Sequence, residues 1–400
     1  MPISSTEEIP QLHSQGAFGS RLDTFGCSTT RLSHAFRKHV KPKKQHEILR
    51  LGKVVHLLAC KSKVEHVLDV GAGHGHLARL LALGYGLKVS TLDVVGAHEI
   101  AANRFDDQAA LHVGKSERRV GVVHQLSPSV ISRELPKHTT MELSKSTPHA
   151  DLKQIVQCSW SNPGEDHEFV VVGLHTCGDL GPSVLRLFTQ VSTCRALALV
   201  SCCYMKMTDD GGAPRTRDSR RNPAKAVQTS VRPSSMFVRK LCQQGLSYEA
   251  REVACHALEA YVRKLRESPS SLKIHCYRAL LEKVIVKRYP EHRHVGLRGV
   301  KHASDMTFSQ YAEKALARFP LPVPSNEVDD PELEEALKDW KKVIIFHSLR
   351  LLLAPVVESL ILVDWMMYMW EQGMSSCLAP LFDPHLSPRN NVLLATKREL

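Results

Sequence analysis

The sequence predicts an α/β protein: a doubly wound, mainly parallel sheet with a large helical C-terminal insertion. Three observations predict it. Short apolar runs of strand character alternate with helical stretches through the first half of the chain. A glycine-rich loop, VLDVGAGHGHLARLL (67–81), stands between the first such strand and the next helix. Helical segments dominate from about 236 to 375, and a last apolar run, NNVLLATK, closes the chain. Strands with helices on both faces read as continuous apolar runs, and that points to a parallel sheet.

In chain order, residues 1–30 are polar, mixed and without period, and are expected to be disordered. A core of 31–205 follows. It opens with a basic run broken by Pro42, and then Ile48, Leu51, Val55 and Leu58 recur at helical spacing. Val67–Val70 reads as a strand, His76–Leu83 as a helix ending at Gly84 and Gly86, and Leu87–Asp93 as a second strand. From about 100 to 165 the pattern weakens, which predicts a loop-rich insertion with a third strand at Gln154–Trp160. Glu168–Leu174 and Ala196–Cys202 are strong strands, and between them DLGPSVLRLF is helical, with Asp179 as cap and Pro182 in the first turn. Residues 206–240 read as a basic flexible loop. Its stretch 211–235 holds six basic side chains, one acid and three prolines. Residues 241–400 are expected to be mainly helical and to end in a core strand.

Lysine and arginine exceed aspartate and glutamate by 53 to 41, a net charge of +12. That balance suits a polyanion such as RNA, although a solvated basic loop explains it equally well. The eleven cysteines fall in apolar or helix-like runs, and the N-terminal residues carry no secretion signal. An intracellular location, cytoplasmic or nuclear, with free thiols is expected. The apolar segment Val343–Trp370 is long enough to span a bilayer, but Arg350, Pro355, Glu358 and Asp364 interrupt it. Each ion at membrane depth costs ~2.5–3.5 kcal/mol, so a buried or kinked core helix is expected and no span.

A strand–glycine loop–helix unit aims backbone N–H groups and a helix N-terminus at a ligand. The dinucleotide fingerprint G-x-G-x-x-G fails, because the glycines fall at 71, 73 and 75 and the sixth position is His76. An acid, Asp69, precedes them instead. The resulting D-x-G-x-G-x-G resembles the first motif of S-adenosylmethionine-dependent methyltransferases. The chemistry suits that cofactor: an acid at the strand end faces a cationic methionine end, and glycines let the backbone approach closely. A second acid for the ribose hydroxyls is expected after the next strand, where Asp93 lies; capping of the following helix is the plainer role for it.

GLHTCGDL (173–180) follows the fourth strand and SCCYMK (201–206) the fifth. Ligands sit beyond the carboxyl ends of such strands. This makes His175, Asp179 and Tyr204 the candidate catalytic residues and Cys177, Cys202, Cys203 and Lys206 candidate pocket residues. Three readings stay open: a substrate-facing pocket with His175 or Asp179 as proton acceptor; a zinc site of His175, Cys177, Cys202 and Cys203, whose spacing is not that of a standard finger; and plain buried thiols. The sequence alone assigns no metal. Lys43, Lys44 and His46 precede the first strand and are candidates for closing the pocket.

FRKHVKPKKQHEI, VLDVGAGHGHL, GLHTCGDL, CCYMK, ACHALEAY, HCYRALLE, LLLAPVVESLILVD and LSPRNNVLLATK together resemble the methyltransferase-like 25B family, also called ribosomal RNA adenine dimethylase domain-containing proteins. The likeness runs from about residue 34 to the C-terminus. The core is also similar to transfer-RNA 2′-O-methyltransferases of the Trm-thirteen type. The resemblance implies a class I, Rossmann-like methyltransferase fold and S-adenosylmethionine at the Asp69 loop. Adenine N6 enzymes carry an [N/D]-P-P-[Y/F] element after the fourth strand; this chain has HTCG there, which speaks against that chemistry. The expected function is methyl transfer to RNA by in-line displacement. The alternatives are a silent scaffold associated with RNA or ribosomes, and a protein methyltransferase.

Overall fold

The computed structural model describes residues 32–120, 134–160, 166–208, 233–241, 245–294, 297, 299–317 and 319–397. The expectations for residues 1–30 and for most of the basic stretch 211–235 lie outside them.

Among the described residues seven strands form one sheet: β1 (His66–Val70), β2 (Lys88–Asp93), β3 (Lys137–Thr140), β4 (Phe169–Leu174), β5 (Cys194–Val200), β6 (Ser375–Pro380) and β7 (Asn391–Thr396). Their order is β3-β2-β1-β4-β5-β7-β6. The first five run parallel, and β7 lies antiparallel between β5 and β6. From β1 the chain crosses over to β2 on one side, and later returns to place β4 on the other. The carboxyl ends of β1 and β4 therefore border the crevice where such sheets bind ligands.

The packing explains the apolar runs. On β4, Val170 and Val172 enter one core with Ile48, Leu51, Val55 and Leu58 of helix α1 (Pro42–Ser62). Phe169 and Val171 enter the opposite core with Val184, Leu187 and Phe188 of α5 (Leu180–Gln190). Alternate side chains point to opposite faces, so a strand covered on both sides must be apolar at every position. Burial of each such side chain contributes ~1.5–3 kcal/mol.

Helix α2 (His76–Arg79) follows the glycine loop and widens into a π turn at Leu80–Gly84. The stretch read as a loop-rich insertion is more ordered than expected. It holds α3 (Gly96–Val120), β3, and α4 (His149–Ser159). The strand expected at Gln154–Trp160 is a correction: those residues lie mostly in α4, which buries Leu152 and Val156, four residues apart. The third strand is instead KHTT at 137–140, too short and polar to show a strand period.

The C-terminal portion is mainly helical, with its own core around Tyr277, Leu281, Ile285, Phe308 and Tyr311. It closes with two strands rather than one. The apolar segment forms helices α6 (Trp340–Leu351) and α7 (Ala354–Glu371), broken at Leu352–Leu353. The kink agrees with expectation, but full burial does not. Ile361, Leu362, Trp365 and Met369 pack on the sheet, while Ile345, Phe346, Leu349, Leu352 and Val356 are exposed. By length and composition alone, Trp340–Glu371 is apolar enough to cross a membrane.

Candidate cofactor-binding site

The glycine loop leaves β1 with three glycines in the left-handed region, at φ 74° (Gly71), 58° (Gly73) and 65° (Gly75). Their surroundings differ. A Cβ at Gly71 would come within 2.9 Å of Leu180, and one at Gly75 within 2.6 Å of His138. A Cβ at Gly73 would meet nothing within 4 Å. Gly73 thus borders open space, and a side chain there would project into it.

The two acids expected from sequence flank this loop. Asp69 pairs with Thr91 of β2 and Val172 of β4, so it sits in the sheet's centre, 1% exposed. Its carboxylate accepts no hydrogen bond among the described residues. Burial pushes it up to about 7, a rise that the charges of Lys44 and His138 only moderate. Asp93 ends β2. Its Oδ2 accepts the Gly73 N–H at 2.9 Å, and its Oδ1 accepts from Val95 N at 2.9 Å and His98 Nδ1 at 3.0 Å. It therefore ties the loop in place and also turns the chain into α3. The cofactor and plain capping roles weighed for it are compatible, since Oδ2 accepts one bond and keeps a second lone pair.

Beneath the loop lies a buried ionic knot that the sequence did not reveal. Arg79 Nε meets Asp106 Oδ1 at 2.6 Å, His138 Nε2 lies 2.8 Å from Asp106 Oδ2, and the other ring nitrogen of His138 lies 2.9 Å from Thr91 Oγ1. The knot joins α2, α3, β2 and β3, and its His138 ring occupies the space against Gly75.

On the acceptor side, His175 follows β4 with φ 69° and is partly exposed. Its Nε2 lies 2.8 Å from Oε2 of Glu47, whose Oε1 accepts from Ser387 Oγ at 2.7 Å. Glu47 is 1% exposed. Burial alone raises this carboxyl, but His175, Ser387 and Lys43 outweigh it and hold it below the ordinary range. Glu47 and Ser387 were both missed. A signal for Glu47 existed: it falls four residues before Leu51, on the apolar stripe of α1, where an acid is out of register.

The remaining sequence candidates are distributed unevenly. Lys44 acts on Asp69 from the first turn of α1, and Lys43 pairs with Glu47 at 3.6 Å, so that turn does lie near the crevice. His46 is a correction: its Nε2 accepts from Asp383 N at 3.0 Å and its ring meets Phe382, binding it to the segment before β7. Asp179 is another. Its two oxygens accept from Thr208 N at 2.7 Å and Thr208 Oγ1 at 2.6 Å, and Lys145 lies 3.2 Å away. It makes no side-chain cap on α5, and each of its oxygens already accepts a bond from Thr208. Tyr204 is 2% exposed in the core against Trp365, and its hydroxyl donates to Glu358 at 3.2 Å. Burial and Glu358 raise it well above the ordinary phenol range. It belongs to the packing, out of an acceptor's reach. Lys206 is exposed at the end of the same turn. Cys177, Cys202 and Cys203 gather: Sγ–Sγ distances are 3.3 Å for Cys177–Cys202 and 3.5 Å for Cys202–Cys203.

Comparison with known proteins bears on this crevice. Residues 43–210 match a family described as a methyltransferase domain. The chain is 29% identical over 239 residues to the probable methyltransferase-like protein 25 of Mus musculus, an alignment that covers 58% of this chain and 38% of that protein. The corresponding Homo sapiens protein is 25% identical over 471 residues, covering 89% of this chain and 74% of it. The chain thus spans little more than a third of the mouse relative in the first alignment. Among solved structures, an O-methyltransferase from Bacillus cereus in complex with SAH is 15% identical, with a TM-score of 0.26, over 48% of this chain and 68% of that one. Magnesium protoporphyrin IX methyltransferase from Synechocystis PCC 6803 with bound SAH is also 15% identical, with a TM-score of 0.23, over 42% and 65%. At such low overlap the fold is judged from its own strand order, not from these neighbours.

Proposed function

We propose that this chain, a homologue of methyltransferase-like protein 25 with a class I methyltransferase domain, binds S-adenosylmethionine in the loop after β1 and transfers its methyl group to RNA. The observation that carries the cofactor reading is the pairing of an open Gly73 with a buried, unpartnered Asp69. A buried acid without a hydrogen-bond donor is costly, and a cationic ligand group is what would relieve it. The residues present fit the cofactor. Asp69 suits its ammonium end, the open face at Gly73 leaves room beside the loop, and Asp93 Oδ2 retains one lone pair for a ribose hydroxyl.

When bound, the cofactor supplies an electrophilic methyl group on a sulfonium. The protein's own contribution is alignment and exclusion of water. Glu47 holds the His175 ring by one nitrogen and so fixes its orientation and tautomer. His175 then accepts the acceptor's proton or positions the acceptor through its other nitrogen. Support for RNA comes from the net charge of +12 and from the Lys43–Lys44 turn at the crevice.

The test is methyl transfer from labelled cofactor into total RNA and total protein, side by side. Label in RNA that disappears with Asp69→Ala is the expected result. Label confined to protein would overturn the RNA reading. Undiminished label with Asp69→Ala would overturn the site.

A further inference from the structure

The loops after β4 and β5 bring three cysteines to one point. The Sγ atoms of Cys177, Cys202 and Cys203 all lie within 4.8 Å of one another. No other trio of candidate metal ligands gathers this closely among the described residues. We propose that Cys177, Cys202 and Cys203 form a three-thiolate site for a thiophilic divalent metal, with zinc as the expected occupant.

The geometry suits zinc. Zinc–thiolate bonds are about 2.3 Å long, so two thiolates on a tetrahedral ion stand roughly 3.8 Å apart. The observed 3.3 and 3.5 Å separations need only small side-chain adjustment to reach that value. Adjacent residues on a strand point to opposite faces, so Cys202 and Cys203 would normally diverge. They converge because β5 ends at Val200 and Cys203 turns the chain at φ −109°, ψ 64°.

The two loops are fastened around the trio. Thr176 Oγ1 lies 2.6 Å from Ser201 Oγ, Thr176 N donates to Val200 O at 3.1 Å, and Gly178 N donates to Cys203 O at 3.2 Å. Gly178 has φ 61°, and a Cβ there would come within 2.8 Å of Lys206 O, so the loops are in backbone contact. Asp179 pins the far end of the second loop through Thr208. This is a preformed cage, and plain buried thiols would not require it. Cys194 and Cys276, by contrast, are buried singly in apolar cores.

His175 is outside the cluster, its Nε2 committed to Glu47. Three protein ligands leave a fourth position for water or another donor, as in zinc sites that do chemistry rather than purely structural ones. The ion would sit at the carboxyl ends of β4 and β5, on the crevice side of the sheet. The proposal stands on the thiol geometry alone and does not depend on methyl transfer.

The test uses the full chain purified under reducing conditions without chelator. Elemental analysis is expected to give one zinc per chain, lost in Cys177→Ser and Cys203→Ser and kept in Cys158→Ser. Cobalt in place of zinc should give intense thiolate-to-cobalt charge-transfer absorption. That spectrum on the wild-type chain decides the matter even if the serine variants fail to fold. Folded wild-type protein that takes up neither ion would overturn the proposal. So would metal retained undiminished in folded serine variants, or a Cys177–Cys202 disulfide in protein whose thiols were blocked at lysis.

Discussion

Replacing Asp69 with asparagine isolates the strain stored at the proposed cofactor site. In the ligand-free protein, burial raises this carboxyl from its ordinary value of 3.8 to about 7. The folded state therefore holds the proton more tightly than the unfolded state. Stability from that proton is fully present at low pH and is lost as pH rises through 7, because the native protein must then ionise a buried acid while the unfolded chain already has. Between the unfolded value of 3.8 and the folded value near 7 each pH unit costs about 1.4 kcal/mol, and above 7 the loss levels off because both states are ionised. Between pH 6 and pH 8 the wild type should lose about that much relative to Asp69→Asn, which cannot ionise. At about 2.1 cal/mol/K of unfolding entropy per residue, 400 residues give roughly 0.8 kcal/mol/K, hence a relative shift in Tm of roughly 2 °C. Differential scanning calorimetry of both proteins at pH 6, 7 and 8 measures it, and the difference cancels other titrations common to both. Saturating S-adenosylmethionine should abolish the wild-type decline, since a cationic ligand stabilises the ionised acid. Parallel Tm curves for the two ligand-free proteins would refute the account of Asp69 as a buried, unpartnered acid.

Other perturbations follow from the same geometry. Gly73→Ala should weaken cofactor binding by calorimetry, with a stability loss of only about 1–2 kcal/mol for its positive φ. Gly75→Ala should cost more stability, because its Cβ meets His138; equal effects of the two would contradict the difference in their surroundings. Glu47→Gln should lower kcat and shift its pH profile while leaving cofactor affinity unchanged, and an unaltered profile would remove Glu47 from the positioning of His175. In stability, the Glu47 carboxylate contributes above its ordinary range near 4.5 and is lost as pH falls through its lowered folded value, so Glu47→Gln and wild type should converge at acid pH. Asp106→Asn leaves Arg79 buried with a weakened partner and should destabilise by ~3–5 kcal/mol in denaturant titration. RNA affinity, if the basic surface makes phosphate contacts, should fall steeply with salt; a salt-independent affinity would exclude such contacts.

What the sequence determined by itself was the central architecture and the cofactor loop. β1, β2, β4, β5 and β7 announce themselves because both faces are covered, so each carries a mainly apolar run. The D-x-G-x-G-x-G loop is legible because backbone at positive φ admits little besides glycine. The tertiary structure decided everything that depends on partners distant in sequence. β3 is strand only because Ser90–Asp93 offer it an edge, and His138 is buried only because Asp106 and Thr91 receive it. Tyr204 looks catalytic in its motif, yet the Trp365 layer buries it, and Asp179 meets Thr208, 29 positions away, rather than the helix it was expected to cap. Glu47 acquires a role from His175, 128 positions away, and from Ser387, 340 away. Local pattern records which face a residue turns inward. Which group it meets there is set by how the layers dock, and no spacing along the chain encodes that.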